Sequence, residues 1–112
     1  MAIQSVLIQT IDTVLLEVPA EQRYAVTVIM ICNTATANPA DDTENLTNFD
    51  LHFVKQGNAI GNLNKVIGSM PMTAGETFTF DTEKIIIEGG DRIIVNCDSP
   101  TVLSATVSYL EL

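Results

Sequence analysis

Leu103-Ser104-Ala105-Thr106-Val107-Ser108-Tyr109 decides the fold class. Apolar and polar side chains alternate strictly along it. A strand turns successive side chains to opposite faces, so this period of two puts Leu103, Ala105, Val107 and Tyr109 on one face and the hydroxyls on the other. Phe49-Asp50-Leu51-His52-Phe53 repeats the pattern. Branched side chains fill the other apolar runs: Val26-Thr27-Val28-Ile29, Ile85-Ile86-Ile87 and Ile93-Ile94-Val95. They are stiff at the first torsion and suit a pleated surface. No stretch carries an apolar stripe at helical spacing. Pro19-Ala20-Glu21-Gln22 and Thr73-Ala74-Gly75-Glu76 read as turns, and Glu88-Gly89-Gly90-Asp91 as a tight hairpin. The spacing predicts strands near 4–9, 12–18, 23–33, 47–55, 64–71, 76–80, 83–87, 91–97 and 101–111. Many short strands with regular turns specify one all-β domain over residues 1–112, an antiparallel β-sandwich of jelly-roll type. Strands do not alternate with helices, which excludes a doubly wound nucleotide-binding fold.

The chain has 112 residues, long enough to bury a core without covalent staples. Its 46% apolar content excludes a disordered chain. Five basic residues (Arg23, Lys55, Lys65, Lys84, Arg92) face fourteen acids, for a net charge of -9. The cations are scattered singly, whereas a phosphate-binding surface needs them clustered. The expectation is no nucleic-acid partner and no anionic membrane surface. The longest wholly apolar run, Val28–Cys32, is far too short to span a bilayer as a helix. Met1-Ala2-Ile3-Gln4 carries no basic region and does not read as a signal peptide. Cys32 and Cys97 read as small buried hydrophobes; whether they pair is open, and a reducing cytosol would oppose it.

Candidate chemistry is sparse. His52 is the only histidine and falls on the polar face of its strand, so it reads as a surface residue. A blue-copper or catalytic zinc site needs more histidines than one. No G-x-S-x-G holds a nucleophile, and Gly57-Asn58-Ala59-Ile60-Gly61-Asn62 is neither a P-loop nor G-x-G-x-x-G. Asp41, Asp42 and Glu44 form the densest acidic group; hard cations take such ligands, but EF-hand spacing is absent, and a solvated loop is the plainer reading. Asn45-Leu46-Thr47 matches the N-glycosylation pattern and reads as a chance match. The expectation is a protein that is not an enzyme and holds no cofactor or metal.

Two segments are long enough to work as loops: Thr34–Leu46, polar and acidic, and Gln56–Asn64, rich in Gly and Asn. Both read as hairpin loops. Tyr24–Asn33 breaks the alternation rule. One face would carry Tyr24, Val26, Val28, Met30 and Cys32, the other Ala25, Thr27, Ile29 and Ile31, so both are largely apolar. Either another chain covers the second face or a loop of the same chain does. An apolar C-terminal end, Leu110-Glu111-Leu112, adds to the case for a homo-oligomer.

Several stretches in order resemble the small β-sandwich virion structural proteins of tailed bacteriophages. They are Thr13-Val14-Leu15-Leu16-Glu17-Val18-Pro19-Ala20, Tyr24–Asn33 closing on Cys32-Asn33, Met72-Thr73-Ala74-Gly75-Glu76-Thr77, Glu83–Asp91, and Ala105–Leu112. The acidic insertion Ala40–Glu44 and Gly90 depart from the family's pattern. The resemblance implies a non-enzymatic part of the virion, assembled in the host cytoplasm. Such a part is an oligomeric head decoration (cement) protein or a neck or tail accessory. Its partners would be itself and other virion proteins, such as the major capsid protein. The contacts expected from the apolar residues are Ile29, Met30 and Ile31, then Met70, Pro71 and Met72, then Tyr109, Leu110 and Leu112. The two loops would point outward or toward a neighbour. The alternative is a receptor- or glycan-binding module that acts through them.

Overall fold

A computed structural model describes residues 2–81 and 85–112, and these form nine strands in two antiparallel sheets. The strands are β1 (Ala2–Leu7), β2 (Thr13–Glu17), β3 (Arg23–Asn33), β4 (Thr47–Val54), β5 (Lys65–Met72), β6 (Thr77–Phe80), β7 (Ile85–Glu88), β8 (Arg92–Cys97) and β9 (Leu103–Glu111). Every strand predicted from the period of two is present, most within two residues of its expected ends. Residues 83 and 84 of the expected seventh strand lie outside the described residues.

Sheet A runs β1-β9-β3-β6, with β7 on the same edge of β3 as β6; sheet B runs β2-β8-β4-β5. The pairs nest. β1 pairs β9, β2 pairs β8, β3 pairs β6 and β7, and β4 pairs β5. A chain that pairs first with last, second with next-to-last and so inward is one long hairpin wound into two sheets, which is the jelly-roll topology.

That winding corrects two turn assignments. Glu88–Asp91 is not a hairpin, because β7 lies in sheet A and β8 in sheet B. The Gly90 N–H donates to the Val18 carbonyl at 2.8 Å and the Val18 N–H to the Asp91 carbonyl at 3.0 Å, so the turn is tied to the end of β2. Gly90 has φ +88, and a Cβ on Gly89 would sit 2.9 Å from the Glu21 nitrogen, so both positions favour glycine. Thr34–Leu46 likewise crosses between sheets, from β3 to β4, whereas Gln56–Asn64 does join neighbouring strands.

The core lies between the sheets. Ile29, Ile31, Leu103, Ala105 and Val107 of sheet A meet Phe49, Leu51, Ile93 and Val95 of sheet B, all essentially inaccessible to water. Full burial of one such aliphatic side chain stabilises the fold by about 1.5–3 kcal/mol.

The face assignment of β3 differs from simple alternation. Its register against β9 shifts between Val26 and Val28, leaving Thr27 as a bulge. The Thr27 hydroxyl lies 2.7 Å from the Ser108 hydroxyl and fills the irregularity. An inserted residue reverses which side chains face the core. Tyr24 and Val26 therefore point inward together with Ile29 and Ile31, while Ala25, Val28, Met30 and Cys32 point outward. Four expected contact residues are not at the surface: Ile29 and Ile31 of β3, Met72 of β5 and Tyr109 of β9 are buried in the chain's own core. Tyr109 stacks on Tyr24 with ring centroids 4.6 Å apart.

Candidate functional site

Registers define the outer face of sheet A strand by strand. From β1 it takes Ile3, Ser5 and Leu7, and from β9 Ser104, Thr106, Ser108 and Leu110. From β3 it takes Ala25, Val28, Met30 and Cys32. Thr77 and Thr79 of β6 and Ile86 of β7 complete it. Ile3 is 71% exposed, Leu7 51%, Ile86 50% and Met30 40%. The hydroxyls of β9 are engaged sideways: Ser5 and Thr106 hydroxyls lie 3.0 Å apart, and Ser108 meets Thr27. The face is apolar on β1 and along β3, and hydroxyl-lined on β9 and β6.

Charge is the informative property. Fourteen of the chain's residues are acids. Among the described residues this face holds one ion pair, Arg23 with Glu88 at 3.8 Å, at one end beside Leu112. The outward strand residues of β1, β6 and β9 carry none, and Asp81 follows Thr79 at the rim. Both partners of that pair are well exposed, so it contributes little stability. A solvated sheet normally presents polar or charged groups on its wet face. This face presents hydroxyls and apolar side chains with little charge, and depletion of charge is the feature that sets the centre of a protein contact surface apart from ordinary surface.

Sheet B is more charged on its outer face, although Val14 there is also exposed. Its outer face carries Glu17, Asn48, Asp50, Lys65, Arg92 and Asn96. The loop Gln56–Asn64 folds back beside it. The Arg92 guanidinium donates to the Asn58 carbonyl at 2.8 Å, and the Gln56 N–H to the Asp91 carboxylate at 3.0 Å. Ile60, Gly61 and Asn62 then line a shallow cleft of about 210 Å³ with Asp12, His52, Lys65 and Asn96.

His52 is therefore buried at 3% exposure, not the surface residue that alternation implied. Its Nδ1 has no hydrogen-bond partner. Burial, and then the Lys65 ammonium, push its pKa below the ordinary imidazole value, against a smaller upward pull from Asp50 and Asp12. A buried, neutral imidazole stands here without a nucleophile bonded to it.

The remaining candidates are placed as follows. Met70 faces inward and packs against the core, while Pro71 lies exposed on the outer side of β5. Leu110 is half-buried on the outer face of sheet A, and Leu112 is exposed beside it. Cys32 and Cys97 are both free: Cys32 faces outward from sheet A, and Cys97 sits in the core of sheet B. Burial raises the Cys97 thiol pKa.

In the acidic loop, Asp41 accepts from the Thr43 hydroxyl at 2.6 Å and from its N–H at 3.0 Å, which hold its carboxyl below the usual range. Glu44 accepts from the Asn38 amide at 2.7 Å. Two of the three acids thus brace the loop itself. Among the described residues no group of three or more His, Cys, Asp and Glu is placed to hold a metal ion.

Ile3, Leu7, Val28 and Ile86 belong to the outer face of sheet A but escape a sequence-based reading. Ile3-x-Ser5-x-Leu7 does alternate, and a strand drawn from residue 2 rather than 4 would have included Ile3. Ile86 stands inside a uniformly apolar triplet, which carries no face information. No protein-family model, no curated protein and no solved structure matches the chain.

Proposed function

We propose that this protein is a non-enzymatic structural component of a larger assembly, held in place by the outer face of sheet A. The observation that carries the reading is that face: exposed Ile3, Leu7, Met30 and Ile86, with charge among the described residues confined to the Arg23–Glu88 pair and Asp81 at its rim, on a chain of net charge -9. The particle setting comes from the sequence resemblance, which makes the assembly a tailed-phage virion put together in the host cytoplasm. The part played is head decoration or a neck or tail accessory. Jelly rolls build viral capsid domains, an analogy at the level of fold. They also build lectins, but here the two long loops use polar groups on themselves and on Asp91 and Arg92. Copies on a symmetric particle need only modest single contacts, because many act together.

The test uses two neighbouring positions on opposite faces of β3. Met30→Asp places a charge on the proposed contact face; it should fold as the parent does and fail to enter purified particles. Ile31→Asp buries a charge in the core, and should not fold at all. Quantitative mass spectrometry of purified virions reads copy number. A Met30→Asp protein present at the parent's copy number would sink the contact face, and absence of the parent from particles would sink the virion setting.

A further inference from the structure

We propose that two copies of this chain join edge to edge through β1, in antiparallel register about a two-fold axis at Ser5. The occupant, a second copy, rests on the assembly reading above.

The first observation is what β1 lacks. It is the outer strand of sheet A, and Ile3, Gln4, Ser5 and Leu7 are exposed. A free edge offers unpaired N–H and C=O groups to any strand that meets it, and natural edges are blunted by charge, proline or bulges. Sheet B follows that rule. β5 carries Lys65, Pro71 and irregular pairing, and β2 carries Glu17 and a bulge between Val14 and Leu16. β1 (AIQSVL) has no charge, no proline and an unbroken register against β9.

The second observation is which groups face outward. The Ile8 N–H donates to the Leu103 carbonyl at 2.9 Å, continuing the register that pairs Leu7 with Ser104. In an antiparallel ladder alternate residues exchange hydrogen bonds with the partner strand. Ala2, Gln4 and Val6 therefore bond to β9, and Ile3, Ser5 and Leu7 turn their N–H and C=O groups to the open edge.

The third is that these three residues complement themselves. A two-fold at Ser5, perpendicular to the sheet, sets Ser5 opposite Ser5 and Ile3 opposite Leu7 of the second copy. All three outward-facing residues then exchange paired hydrogen bonds, and each side chain meets one on the same face. Ile3 and Leu7, the two most exposed apolar residues of the strand, cover each other across the joint. Centring the axis on Gln4 instead pairs Ile3 with Ser5, so that Ile3 and Leu7 no longer meet. Charge adds to the choice of partner: two copies of net charge -9 repel, and β1 and the face beside it are where they meet without acids.

The experiment measures native mass by light scattering and maps the register by cross-linking. Ser5→Pro removes the central outward N–H and leaves the β9 ladder intact, a substitution edge strands tolerate. It should halve the native mass, to that of one 12.1 kDa chain, with an unchanged circular dichroism spectrum. Independently, Ser5→Cys in a Cys32→Ser background should give a covalent dimer on mild oxidation, since facing residues of such a pair lie about 5.5 Å apart at Cα. Gln4→Cys in the same background should not. A wild-type protein that stays a single chain at every concentration overturns the proposal, as does Gln4→Cys linking as readily as Ser5→Cys. An oligomer unaffected by Ser5→Pro but broken by Met30→Asp overturns it too, while leaving the contact face of sheet A standing.

Discussion

Replacing Asn33 by alanine should destabilise the fold by about 3 kcal/mol, through hydrogen bonds and not through lost apolar area. Asn33 is the last residue of β3 and is 1% exposed. Its amide donates to the Asn45 carbonyl at 3.0 Å and to the Met72 carbonyl at 3.1 Å. Its side-chain oxygen accepts from the Ala35 N–H at 3.1 Å. Its backbone is tied as well, donating to Glu76 and accepting from Gly75. One side chain thus clamps the exit of β3, the loop into β4 and the end of β5, where the chain crosses between sheets. Three hydrogen bonds at about 1 kcal/mol each set the scale, and the buried Met72 carbonyl adds an orphaned acceptor. For a domain of this size the loss corresponds to a fall in Tm of about 10–15 °C. Urea unfolding followed by tyrosine fluorescence suits a chain with Tyr24 and Tyr109 and no Trp. It is run at one protein concentration, because association adds to apparent stability. Asn33→Asp should lose at least as much, since a carboxylate would face two carbonyls. A loss below about 0.5 kcal/mol for Asn33→Ala, at unchanged slope, would refute the clamp.

Two further outcomes follow from charge. His52 is neutral in the folded state and has a lowered pKa. The unfolded chain takes its proton near the ordinary value of 6.5, so unfolding is favoured as pH falls below that value toward the lower folded one. His52→Gln should flatten the stability profile between about pH 7 and pH 5, and an unchanged profile would show that other groups set it. Association through a charge-free surface between like-charged copies should tighten as salt rises from about 20 to 200 mM, because screening removes repulsion and breaks no cross-interface ion pair. A dissociation constant that weakens with salt, by sedimentation or light scattering, would point to a charge-complementary interface elsewhere.

The strands were legible because a period of two, written in branched and aromatic side chains, leaves little else for the chain to be. Leu103–Tyr109 and Phe49–Phe53 state their inward faces outright, and both are correct in the fold. Tyr24–Asn33 was legible as a strand but not as a pair of faces. The bulge at Thr27 is one β-branched residue among several, yet it moves Tyr24 and Val26 to the side of Ile29 and Ile31. That single offset is why Ile29 and Ile31 read as surface contacts and are core. His52 was misplaced for another reason: alternation reports the face of the sheet, not what covers it, and the neighbouring loop is a tertiary fact. Glu88–Asp91 has the composition of a hairpin, but its partners are Val18 and the chain around Pro19, seventy residues earlier in the roll. Met30, between Ile29 and Ile31, does lie on the exposed outer face of sheet A.

The contrast between the two sheets argues for the order in which an assembly would form. Exposed Ile3, Leu7, Met30 and Ile86 each forgo burial worth about 1–2 kcal/mol while the chain is alone. A polar residue at any of them would cost the isolated fold little, so the isolated fold does not explain their character. The net charge of -9 acts in the other direction and keeps free copies apart. Apolar attraction confined to one face, opposed by repulsion spread over the remainder, makes association depend steeply on how copies are presented. Dilute chains meet in all orientations and mostly repel. Copies with their sheet A faces adjacent meet in an orientation that brings few acids together. Pairs joined through β1 then associate further only where their sheet A faces are brought together.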